Sequence, residues 1–144
     1  MQTFLPYRDF VDSASVLDDK RLGKQRVECL QILRALHDPG YGWQNHPAVL
    51  MWKGYESMLL RYAFAICVEW RHHRGFNDTC WAKCVEFDNP LRPLFIPPWL
   101  GDEDFHASHR ANLLRKDPGH YLQFGWTEDP TMPYYWPTKQ NTER

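Results

Sequence analysis

Two short stretches carry the groups that could do chemistry. Lys20-Arg21-Leu22-Gly23-Lys24-Gln25-Arg26-Val27-Glu28 sets four permanent cations and one carboxylate in a helical pattern near the N-terminus. Ser108-His109-Arg110-Ala111-Asn112-Leu113-Leu114-Arg115-Lys116, near the other end, mixes cations with amide and imidazole groups. Cations on two separate helices suit phosphates on both sides of a bound strand. Glu28, lodged among cations, is expected to stay ionised, able to stabilise a cationic sugar or to take a proton. The combination points to chemistry on a nucleic acid rather than to binding alone.

Each feature also has a plain structural reading. Glu28 can pair with Lys24 or Arg26 on a helix surface, and the cluster from Lys20 to Arg26 can be a solvated face. His46 can be a polar residue that starts a helix. His109 and Arg110 sit with Asn112, Arg115 and Lys116 on one short helix, which favours phosphate contact. Arg71 to Arg74 suit the negative end of a helix. The aromatics of the tail, Tyr121, Phe124, Trp126, Tyr134, Tyr135 and Trp136, fit a core as well as a base-stacking surface.

These groups must be positioned by one domain, since 144 residues fit a single core. Aromatics at 15% can fill it. A formal net charge of −1 excludes a nonspecific polycation, so a nucleic-acid role rests on local clusters. No secretory leader is expected, because Arg8 and Asp9 interrupt the first ten residues. No stretch approaches the ~20 apolar residues of a membrane span. A cytoplasmic setting with reduced Cys29, Cys67, Cys80 and Cys84 follows. Cys80-x-x-x-Cys84 near His72 and His73 leaves a zinc reading open, although paired ligand sets are usually tighter.

The coarse pattern is all-α. Residues 1–12 read as irregular, and Asp12, Ser13, Asp18 and Asp19 are candidate caps. Leu22, Cys29, Leu33 and Leu36 make one apolar stripe, which predicts a helix over about 19–37. Gly23 within it leaves room for a ligand backbone. A longest helix is expected over 46–73, opening at Asn45-His46-Pro47 and closing at Gly75. A short helix is expected over 79–87 and a third main helix over 103–116, ending at Asp117-Pro118. Long irregular connections, rich in proline and aromatics, link the three main helices. No strand pairs are expected.

These stretches resemble the pyrimidine-dimer DNA glycosylase family, to which phage endonuclease V belongs. Asp19, Leu22 and Glu28 match the order and spacing of the Asp, Leu and catalytic Glu in that family's first helix. Arg74-Gly75-Phe76-Asn77 matches an Arg-Gly-Phe-Asn after its central helix, and His46 falls at its Gly-His. Ser108 to Lys116 resembles its basic third helix, and the aromatic tail its C-terminal loop. The Lys-Arg-Leu-Gly-Lys-Gln-Arg and Ser-His-Arg-x-Asn-Leu-Leu-Arg-Lys runs are similar to a bacterial branch of the family.

The resemblance implies one endonuclease V-like domain over residues 1–144. It implies excision of a damaged pyrimidine with AP-lyase activity, through a Schiff base on the N-terminal amine and without metal or cofactor. An α-amine suits this, with an unperturbed pKa of about 8 against about 10.4 for lysine. Met1 and Glu28 are the implied catalytic pair. Arg21, Lys24, Arg26, His46, His109, Arg110, Asn112, Arg115 and Lys116 are the expected DNA contacts, the partner being double-stranded DNA with a damaged or modified base. The protein is expected to be a monomer, with no membrane association. Two positions depart from the family. Gln2 stands where a small residue allows the initiator methionine to be removed, so Met1 is expected to remain and to carry the amine. Val27 stands where the family has an arginine, with Lys24 or Arg26 close enough to replace it. These departures leave two alternatives: excision of another modified base, or a DNA-binding module without catalysis.

Overall fold

The computed structural model describes residues 1–137. The residues expected to complete the domain, 138–144, lie outside the described residues. Among the described residues there is no strand, and α-helices run over Phe10–Val16 (α1), Asp19–His37 (α2), Pro47–Leu50 (α3), Glu56–Val68 (α4), Trp81–Cys84 (α5), Glu103–Lys116 (α6) and Pro118–Tyr121 (α7). Short aspartates start several of them. Asp9, Asp18 and Asp102 accept the backbone N–H of Asp12, Arg21 and Asp104 respectively. Each satisfies a donor that the first turn leaves open. Asp9 thus caps α1, a helix that starts within the segment 1–12 expected to be irregular.

The first and third main helices keep their expected bounds. The expected continuous helix over 46–73 does not form. It splits into α3 and α4 at a turn in which Gly54 takes φ +88°. The split turns Trp52, fully buried, into the core, where its indole N–H donates to the Thr3 hydroxyl at 3.1 Å. Gly54, in the left-handed region that glycine tolerates, breaks the helix there, and the Glu56 carboxylate accepts its N–H at 3.1 Å. α4 continues past Val68 as a wider π turn over Glu69–His73. The core lies where α2 crosses α4, with Leu22, Ile32 and Leu33 buried against Leu59, Tyr62 and Ile66.

Several family-like residues serve this packing. Arg74 ties the end of the α4 arm to the start of α2, bonding Asp19 at 2.8 Å, Glu69 at 3.3 Å and the carbonyls of Ala14 and Ser15. Gly75 turns the chain at φ +75°, and Phe76 stacks on Trp70 at 4.3 Å between ring centres. A Cβ on Gly23 would meet the Trp70 ring at 2.8 Å. Gly23 therefore admits an indole, not a ligand backbone.

All four cysteines are buried free thiols. Burial and mutual proximity push Cys29 well up and Cys84 to about 12. Among the described residues no group of His, Cys, Asp or Glu is placed to hold a metal ion, so the Cys80-x-x-x-Cys84 reading finds no partners. No helix among them is long and apolar enough to cross a membrane.

Candidate active site

Residues 1–6 form neither helix nor strand, yet residues 2–6 are buried. A buried backbone must find partners for its N–H and C=O groups, and side chains supply them here. The Gln25 amide nitrogen donates to the Gln2 carbonyl at 2.8 Å and to the Glu28 carboxylate at 2.6 Å. The Gln25 oxygen accepts from the Phe4 N–H at 2.9 Å and from the Tyr62 hydroxyl at 2.7 Å. The amide has no hydrogen-bonding capacity left. Tyr62 also reaches the Phe4 carbonyl at 2.6 Å. One residue further on, His109 Nδ1 accepts the Leu5 N–H at 2.9 Å, while His106 Nδ1 lies 2.8 Å from the Leu5 carbonyl. α2, α4 and α6 thus each hold one side of a segment that has no ladder of its own.

This latch fixes the chain's own amine beside Glu28. The Gln2 backbone N–H and the Gln25 side chain both bond the Glu28 carboxylate, and the charges of the terminal amine and Lys24 act on it. Burial outweighs these four and raises the Glu28 pKa above the usual carboxylate value. Burial, and not the cations, therefore sets the direction of the Glu28 shift. Cations alone would lower the pKa, but the carboxyl is only 7% exposed beneath the N-terminal segment. A carboxyl with a raised pKa exchanges protons more readily near neutral pH.

His46 lies at the same place. It caps α3, its Nδ1 accepting the Ala48 N–H at 3.0 Å. Burial and then the terminal amine's charge lower its pKa. The ring is thus neutral near pH 7, with its hydrogen on Nε2. Both readings of His46 meet here, as helix starter and as neighbour of the amine.

Cations and aromatics flank the pair. Burial comes first in lowering the Lys116 pKa, followed by repulsion from Arg21, Arg115 and Lys24, with Glu28 opposing. These cations of α2 and α6 therefore face one another around Glu28. Lys24 and Lys116 make no ion pair among the described residues, whereas Arg21 pairs with Asp18 at 3.2 Å. Arg115 reaches the Pro130 carbonyl and Asn112. On the other flank Tyr134 packs against Phe4, His109 and Trp136, and Trp136 stands edge-on to His46. Burial raises Tyr134 to about 12, with Arg115, Arg21 and Gln2 acting against it. The Gln2 side-chain nitrogen is buried without a partner at full hydrogen-bond geometry, and the Tyr134 hydroxyl faces it.

Four of the expected DNA contacts have internal partners. Arg26 is clamped by Asp78 at 2.6 Å and lies over the Trp70 ring at 4.5 Å. His109 is fully buried, and burial with repulsion from His106 drops its pKa to about 3. Arg110 pairs with Glu103 and Glu128 and donates to the Pro6 carbonyl. Asn112 is fully buried and donates to the Ser108 and Met132 carbonyls. α6, which looks basic in sequence, turns His109, Arg110 and Asn112 inward because the N-terminal segment and the stretch from Glu128 to Tyr135 pack on it. Gln25, His106 and Tyr62, which hold the amine's segment, were missed. Their partners lie 21 to 101 residues away, and no local pattern marks them. A separate groove of about 900 Å³, lined by Phe10, Arg61, Phe64, Trp81 and Ile96 among others, contains none of these groups.

The family described as pyrimidine dimer DNA glycosylase matches residues 1–83, a span that includes Met1, Lys24, Glu28, His46 and the Arg74-Gly75-Phe76 turn. No curated protein and no solved structure matches the chain. With residues 1–83 of 144 so matched, and with an all-helical fold that sets its own N-terminus against a buried glutamate, the chain belongs to the pyrimidine dimer DNA glycosylase family.

Proposed function

We propose that this protein excises a damaged pyrimidine from double-stranded DNA and then cuts the strand, with the α-amine of Met1 as nucleophile. The observation that carries the reading is the burial of Glu28 against the chain's own amine, within a segment that side chains hold on both sides. The amine's lone pair forms a bond to C1′, and the glycosidic electron pair leaves with the base. Ring opening gives an iminium, loss of a C2′ proton follows, and the 3′ phosphate departs. Glu28 stabilises the cationic sugar and takes the proton, a role that its raised pKa suits. His46 Nδ1 is occupied by the Ala48 N–H, which leaves Glu28 as the base. Lys24, Lys116, Arg21 and Arg115 hold the flanking phosphates. Retention of Met1 fits the buried Gln2: dropping one residue would withdraw the amine by roughly 3.5 Å from a position that Gln25 fixes.

Incubation with duplexes carrying a pyrimidine dimer, other modified bases or an abasic site tests this. The dimer duplex should be cut, and Glu28→Gln should lower excision about a hundredfold or more while the protein stays folded. Cleavage confined to another modified base would move the substrate and keep the chemistry. Binding without any cleavage would leave a DNA-binding module.

A further inference from the structure

Trp43 stands out by both backbone and side chain. It is the non-glycine residue with positive φ among those described, at +70°, and its side chain is 64% exposed. Non-glycine residues seldom adopt the left-handed region, and bulky ones least. An indole shown to water gives up the burial that usually justifies it. The loop that carries it is nonetheless well held. The Tyr41 N–H and the Gln44 amide both bond the Asp38 carbonyl, and the Trp43 carbonyl accepts the His46 N–H at 3.0 Å. The ring stands edge-on to His46, at 5.9 Å and 71°, and His46 in turn meets Trp136 at 6.2 Å and 86°. Trp43 is thus the outermost ring of an aromatic row that runs through His46 and Trp136 to Tyr134, on which the charges of Arg115 and Arg21 act. Backbone strain held in place by surrounding bonds collects at functional positions.

We propose that Trp43 is a binding residue for an unstacked nucleobase, presenting its ring to a base that has left the duplex beside the site. The occupant follows from the chemistry around it. The nearby cations suit a phosphate backbone, and the exposed indole offers ring surface to a planar aromatic partner. The inference rests on the DNA reading above and adds a residue to it.

The test uses the full chain and two duplexes with a tetrahydrofuran abasic site. One carries 2-aminopurine opposite the site, the other carries it beside the site on the same strand. Wild-type protein should bind and quench 2-aminopurine in one of them, which identifies the base. Trp43→Ala should lose that quenching and bind the abasic duplex about five- to a hundredfold more weakly, the usual range for removing a base–aromatic stack. Undamaged duplex should be bound almost as before. Trp43→Gly should weaken binding similarly but melt no lower than wild type, since glycine relieves the positive φ. A Trp43→Ala protein that binds and quenches like wild type overturns the role of Trp43 and leaves the DNA reading standing. A wild-type protein that binds none of these duplexes overturns both.

Discussion

Glu28 is held by two amide groups, the Gln25 side chain and the Gln2 backbone, so its proton affinity depends on a neighbour one turn away. Gln25→Glu keeps acceptors for Phe4 and Tyr62 but removes both donors and sets a second carboxylate against Glu28. Two carboxylates in contact raise one pKa. The acid limb of the excision-rate profile should then move up by about one pH unit or more. Gln25→Leu should instead lower the melting temperature, because it leaves buried groups of Gln2 and Phe4 unpaired. If both variants only lose stability and the profile stays in place, Gln25 supports the fold without tuning Glu28. At this scale the sequence singles out Glu28 by spacing alone, and Glu28→Gln is its test. The sequence misjudged the environment, because the N-terminal segment that buries the carboxyl carries no periodic signal.

α6 shows how an element can look like one thing and serve as another. Its bounds were legible, from Asp102 and the acidic first turn to Asp117-Pro118. Its role was not, since the buried or half-buried sides of His106, His109, Arg110 and Asn112 are set by the two chain ends that pack on it. The buried histidines give the element a pH signature. Folded His109 takes a proton only near pH 3, against about 6.5 when unfolded. Below about 6.5 the unfolded state binds a proton that the folded state refuses, so stability falls as pH falls. The slope is up to about 1.4 kcal/mol per pH unit until about pH 3. His106, also lowered mainly by burial, adds in the same direction. Thermal melts at pH 7 and pH 5 should show the loss. His109→Gln, which keeps an acceptor for the Leu5 N–H, should flatten it. An unchanged slope in the variant would mean that His109 does not set the acid limit. The split between α3 and α4 was illegible for a related reason. Apolar residues keep helical spacing on either side of Gly54, from Trp52 to Leu59 and Ile66, so the pattern does not mark the break.

The whole molecule brings its N-terminus, the middle of α2, the end of α6 and the aromatic tail to one place, although its net charge is only −1. Lys24 and Lys116 make no ion pair there among the described residues, while Arg26, Arg74 and Arg110 are consumed in holding the helices together. Composition could not separate the two kinds of cation, because pairing depends on the packed fold. The tail aromatics divide by burial. Tyr121 is fully buried and stacks on Trp126, whereas Tyr134 and Trp136 stay half-buried along the site. The central claim is that this arrangement exists to present one amine. Borohydride reduction with abasic-site DNA should trap a covalent protein–DNA adduct, and peptide mapping should place it on residue 1. An adduct on Lys24 or Lys116, or none at all, would contradict the account.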